Sequence, residues 1–201
     1  MDRHQVDFTE GPLEFRLTAG AIEIPPELLD PSSGVCQLAI LDCTDPSCPG
    51  SSMGCTEGDP CLVRIETTLA REVNLDYAYD DESLRVDSVR LEEISASVMA
   101  ATLDAPVEQV RILWAPLVGT SGSAQELAVL GPIAPGQSAS PLEPGIDGQG
   151  LAGLESHLVT YRGFTMFVTF VTALEPGSVC PEGDLDLEIS LRFLLTGEPL
   201  M

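Results

Sequence analysis

Lysine is absent from this 201-residue chain, asparagine occurs once, at Asn74, and histidine twice, at His4 and His157. The nine basic residues are all arginine, scattered from Arg3 to Arg192 without a cluster. No basic patch exists to hold a phosphate backbone, and 32 acidic residues set the net charge at −23, which excludes nucleic acid as an expected partner. The same field opposes docking on anionic lipid. Long hydrophobic runs are also lacking: residues 164–171 fall far short of the roughly 20 needed to span a bilayer, so no transmembrane segment is expected. Asn74 is followed by Leu75 and Asp76, which leaves no N-glycosylation acceptor.

What is present points to a folded chain. Hydrophobic residues make up 44% and charged residues 20%, near globular averages, so the acidity belongs to the surface and not to a disordered polyanion. Codon bias toward arginine or adaptation to salt accounts for the Lys-free acidity without any specific cation site. The length suits one β-sandwich.

Five of six cysteines crowd together, Cys36, Cys43, Cys48, Cys55 and Cys61, with Cys180 far downstream. Paired C-x-x-C ligands are missing and both histidines lie outside the cluster, so disulfides are favoured over zinc, with fifteen pairings open. One bridge must reach Cys180. Disulfides imply an oxidising compartment. Met1-Asp2-Arg3-His4-Gln5 shows no apolar leader, and the expectation is a mature segment whose leader was removed, with Met1 added for expression.

Along the chain, alternation is the dominant pattern. Leu13, Phe15 and Leu17 form one strand stripe, residues 35–41 a short apolar strand, and Val63, Ile65, Thr67 and Leu69 the next. Residues 76–82 read as an acidic turn. Between residues 86 and 99 the apolar phase changes near Glu92-Glu93, which predicts a β-bulge. Val110, Ile112 and Trp114 make a further stripe, and Leu151, Leu154, Leu158 and Tyr161 have helical spacing. Residues 164–173 are apolar on both faces, as in a central strand, and Leu185 to Leu195 alternate cleanly. The expected fold class is all-β: an antiparallel β-sandwich of seven to nine strands with one short helix and a disulfide-stapled Cys-rich loop. Residues 1–11 are expected as a flexible tail and 12–201 as one domain, with a Cys-rich insertion at 42–60 and a Pro/Gly-rich loop at 116–150 in which only residues 126–130 are strand-like; these two loops are the expected interaction surfaces.

Catalytic constellations are scarce. Gly50-Ser51-Ser52-Met53-Gly54 matches an esterase elbow, which would nominate Ser52 with His157 as base, but it lies in a loop without the strand-turn-helix context that strains such a serine. Calcium is the more serious chemistry, since loops can supply its six to eight oxygens. The candidates are Asp76, Asp80, Asp81 and Glu82, and secondarily Asp42, Asp45, Glu57 and Asp59, although a solvated acidic face explains both groups. No other cofactor is expected.

Three features, Val86-Asp87-Ser88-Val89-Arg90-Leu91-Glu92-Glu93-Ile94, the helix-like stretch 153–161 with the strand after it, and the closing stretch 183–195, resemble immunoglobulin-like β-sandwich surface proteins of bacteria, often lipoproteins. The resemblance covers about half the chain and implies an exported sandwich without catalytic residues. Cys61, Trp114 and Cys180 occur in the immunoglobulin order, but Trp114 is too far from Cys61 and Ser178 stands where a tyrosine is expected. The functional expectation is a non-enzymatic, surface-anchored binding or structural module, extracellular or periplasmic, with a protein or glycan partner. The alternatives are a calcium-dependent adhesion or carbohydrate-binding module and a subunit of a larger extracellular assembly, in which a neighbour covers residues 164–173.

Overall fold

The structure, a computed structural model, describes residues 4–39, 62–80 and 84–199. Among the described residues, nine strands and two α-helices follow in the order β1 (His4–Thr18), β2 (Val63–Asn74), α1 (Asp76–Asp80), β3 (Leu84–Ala101), β4 (Val107–Ala115), β5 (Gln125–Leu130), β6 (Ser140–Leu142), β7 (Pro144–Ile146), α2 (Gly148–Thr160), β8 (Gly163–Leu174) and β9 (Asp184–Pro199). They form two antiparallel sheets, β1-β9-β3-β6 and β2-β8-β4-β5-β7, packed as an all-β sandwich.

The period-two pattern fixes which side chains enter the core. On β9, Leu185, Leu187, Ile189, Leu191, Phe193 and Leu195 are each at most 1% exposed, while Arg16 of β1 pairs with the outward Asp186. The phase change in β3 is a bulge between Leu91 and Glu93, where one extra residue re-aims the strand. β8 is central, between β2 and β4, and its outward residues Thr165, Phe167, Thr169, Val171 and Ala173 are all buried. Ion pairs from Arg111 to Glu66 and from Arg64 to Glu108 join β4 to β2 across this strand. Its two-sided apolar run is thus buried within the chain itself.

Several expectations are corrected. Residues 4–11 are the first half of β1, paired with β9 from His4↔Gly197 to Glu10↔Leu191, and not a tail. The strand survives Gly11-Pro12 through a bulge at which Gly11 takes φ +120°, and a Cβ there would stand 2.9 Å from the Ile189 carbonyl oxygen. The stretch 116–150 carries the expected strand at 126–130 as β5, and in addition β6 and β7. Pro141 and Pro144 fit there because β6 and β7 are edge strands, where a missing N–H breaks no ladder. Of the strand expected at 35–41, only isolated bridges at Gln37 and Leu38 are formed in the described part. The acidic turn begins as the short helix α1.

Helices occupy one end of the sandwich. α1 lies against β3, and α2 packs against β3, β4 and β5, so Tyr79, Leu154 and Leu158 fill the space between the sheets. At the opposite end, Cys36 is bonded to Cys180 across 144 residues, with the Cα atoms 5.3 Å apart. Cys43, Cys48, Cys55 and Cys61 lie outside the described residues, and with Cys36 and Cys180 joined, three pairings are left for them.

Candidate functional site

The helix end carries the best-built concave site, and its geometry begins with how α2 is seated. Asp147 caps the helix by accepting from the amides of Gln149 and Gly150, at 3.2 and 3.3 Å. Gly150 permits near-contact with β5: a Cβ there would lie 1.7 Å from the Glu126 carbonyl oxygen. A Cβ on Gly153 would meet the Trp114 ring at 3.1 Å. Trp114 in turn donates its Nε1–H to the Gly150 carbonyl at 2.9 Å. Glu155 accepts the Leu91 amide at 3.0 Å, so a helix side chain satisfies a β3 donor beside the bulge.

From this seat α2 projects two rings. The His157 ring lies 5.3 Å from Trp114, tilted by 45°, and stacks on Tyr161 at 4.8 Å and 21°. The ladder runs from buried Trp114 to Tyr161, which is 61% exposed. His157 Nε2 lies 3.0 Å from the Gly163 carbonyl oxygen; a carbonyl only accepts, so Nε2 carries the proton. Tyr79 donates its hydroxyl to the Leu158 carbonyl at 2.6 Å, satisfying one of the orphan carbonyls of the helix C-terminus. Burial pushes the Tyr79 phenol up to about 12, keeping it a donor.

The facing wall is the turn after β4. Gly119 donates its amide to the Pro116 carbonyl at 2.6 Å, which places Leu117 and Val118 at the turn tip. Such tips usually carry Gly, Asn, Asp or Ser, yet Leu117 is 49% and Val118 96% exposed. Between this turn and the face of His157, Tyr161 and Arg162 is a cleft of about 390 Å³. At its rim the Arg162 guanidinium lies 5.2 Å over the Tyr79 ring and 3.9 Å from Asp76. Gly163 forms the floor, where a Cβ would meet the Val73 carbonyl oxygen at 2.9 Å.

The sequence candidates fare differently. Asp76 is exposed and faces an arginine; Asp80 closes α1, and Asp81 and Glu82 lie outside the described residues. Among the described residues no three His, Cys, Asp or Glu side chains converge as metal ligands would. Ser52, Asp42, Asp45, Glu57 and Asp59 fall outside the described residues as well. A larger hollow, about 470 Å³, lies beside the disulfide end, but two of its carboxylates are committed. Glu108 pairs with Arg64, and Asp104 accepts the Glu182 amide. No local pattern joins the walls of the cleft, which lie some forty residues apart in sequence; the apolar pair Leu117-Val118 inside a Pro/Gly-rich stretch is the signal that could have pointed to it.

No family model matches the chain, and no curated protein does. A solved chain of Desmodium yellow mottle tymovirus aligns at 13% identity, covering 79% of this chain and 98% of that one, with a TM-score of 0.28. A score that low carries no argument about function. Among the described residues, no helix is long and apolar enough to cross a membrane.

Proposed function

We propose that this protein is an exported, non-enzymatic, immunoglobulin-like β-sandwich that serves as a binding module at the cell surface and takes its partner in the cleft beside α2. The observation that carries the reading is the grouping of Leu117, Val118 and Tyr161, all exposed, around one preformed hollow. Apolar side chains left in water at a concave site mark binding surfaces, and a rigid scaffold keeps the ordering cost of binding small. The Cys36–Cys180 disulfide supports an oxidising compartment. The His157 Nε2 proton is committed to a backbone carbonyl, which favours binding over proton transfer at this cleft.

Trp114 is the single tryptophan and its ring lies against His157 of the cleft wall, so its indole N–H gives one assigned resonance directly behind the cleft. In an NMR titration with blocked apolar peptides and with oligosaccharides, at least one ligand is expected to move that resonance and the amides of Leu117, Val118 and Tyr161 saturably. Shifts confined to other surfaces, or none with any ligand, would remove the reading.

A further inference from the structure

We infer that the occupant of this cleft is a bulky apolar side chain, Phe-sized, presented on an arginine- or lysine-rich polypeptide segment; this rests on the binding-module reading and specifies its partner.

The chemistry of the walls selects an apolar anchor. Of the side-chain donors that line the hollow, His157 Nε2 is spent on the Gly163 carbonyl and the Arg162 guanidinium is held by Asp76 and the Tyr79 ring, which leaves the Tyr161 hydroxyl at the exposed edge; behind the wall, Trp114 Nε1 and the Tyr79 hydroxyl are spent on the Gly150 and Leu158 carbonyls. A sugar brings a hydroxyl on nearly every ring carbon, and each one buried here without a partner would cost affinity. Leu117, Val118 and the exposed Tyr161 ring offer area to a ring or branched chain, and the hollow lies at the small end of ligand pockets, suited to one anchor.

Charge selects what carries the anchor. The molecule holds 32 carboxylates against nine guanidiniums, so an anionic ligand or a second copy, itself at −23, approaches against the field. A cationic segment is drawn in. The rim arginine does not oppose this, because Arg162 is held between the Tyr79 ring and the Asp76 carboxylate. The anchor thus supplies the contact and the flanking cations supply steering and partner choice.

The test uses the full, unreduced chain and the Trp114 indole resonance, with four blocked pentapeptides: Phe flanked on each side by two Arg, the same peptide with Ala for Phe, Phe flanked by Glu, and Phe flanked by Gly. The Arg-Phe peptide is expected to bind saturably, at least about tenfold more tightly than the Arg-Ala, Glu-Phe and Gly-Phe peptides. Raising salt from about 20 mM to about 500 mM should weaken it by a further tenfold or so. Val118→Ser and Tyr161→Ser sit on exposed side chains, so they should keep the melting temperature and lose about tenfold in affinity. Equal binding of the Arg-Ala peptide would mean charge alone and overturn the anchor. Equal binding of the Glu-Phe or Gly-Phe peptide would overturn the cationic partner. If oligosaccharides fill the cleft and the Arg-Phe peptide does not, the inference falls while the binding-module reading stands. If only self-association appears, abolished by Val118→Ser, the occupant is a second copy and the inference falls again.

Discussion

Where β8 begins, beside α2, the buried polar side chains each find a backbone carbonyl: Trp114 donates to Gly150 and Tyr79 to Leu158. Where β8 ends, the chain runs into a short ribbon in which Leu38 donates to Ser178, Gly177 to Leu38 and Cys180 to Cys36, locked by the Cys36–Cys180 bond. The first end is closed by packing and complete hydrogen bonding, the second by a covalent bond between residues 144 positions apart. The second end also tolerates a flaw: the Thr172 hydroxyl is fully buried and finds no partner among the described residues. A crosslink that constrains the unfolded chain relaxes the demand for local satisfaction, whereas a non-covalent closure must find its stability in packing and hydrogen bonds.

The largest break in this comparison comes from removing the bond. With Cys36→Ser and Cys180→Ser together, a loop of this length predicts a loss of roughly 5 kcal/mol in the chain-entropy model. Urea unfolding would measure it, and the Trp114 indole resonance should stay in place because the helix end does not depend on the ribbon. A loss under about 1 kcal/mol would show that the ribbon's hydrogen bonds close that end unaided.

At the helix end the matching break is Gly150→Ala. Alanine favours helices by about 1 kcal/mol over glycine, but here its methyl would meet the Glu126 carbonyl oxygen at 1.7 Å, so α2 must lift. A net loss of about 2–4 kcal/mol is expected, with the indole resonance displaced. Gly148→Ala is the control: nothing lies within 4 Å of its Cβ, and it should be neutral or slightly stabilising.

Much of this architecture was legible in the sequence because period-two burial leaves a direct trace: β8, β9 and the bulge in β3 follow from Leu185 to Leu195, the two-sided run at 164–173 and the phase change at Glu92. Helix α2 was equally visible from Leu154 and Leu158. The first half of β1 reads as a tail because its partner strand β9 is remote in sequence, and the facing Ile189 carbonyl marks Gly11 as a bulge inside the strand. The cleft depends on Pro116 to Val118 meeting His157 to Arg162, a long-range contact that no local pattern encodes. The calcium candidates rested on local acid density, and Asp76 instead meets an arginine supplied from beyond α2.

Tyr79→Phe sharpens the helix end by deleting one hydroxyl. The Leu158 carbonyl loses its hydroxyl donor in a buried setting, for a cost of about 1–2 kcal/mol near neutral pH. The pH dependence has a defined sign. Folding raises the phenol from an ordinary value near 10 up to about 12, so its stabilising contribution is complete below about pH 10 and drains away as pH climbs toward 12. The stability difference between the parent and Tyr79→Phe should therefore shrink across that alkaline window. A constant difference would mean that the hydroxyl is not held in its neutral form by the fold.

The smallest effect belongs to the disulfide end and has the opposite sign. Thr172 lies on β8 opposite Ile65 and Val107, and its hydroxyl has been taken from water without a new partner. Valine has the same shape with a methyl in place of the hydroxyl, keeps the β-branched fit to the strand and removes the desolvation cost. Thr172→Val is expected to stabilise by about 1 kcal/mol, a gain that should persist in the Cys36→Ser, Cys180→Ser background if orphan and crosslink are energetically independent. A gain that vanishes there would mean the bond holds Thr172 in its dry position, and the flaw would then be a consequence of the crosslink rather than something the crosslink merely permits.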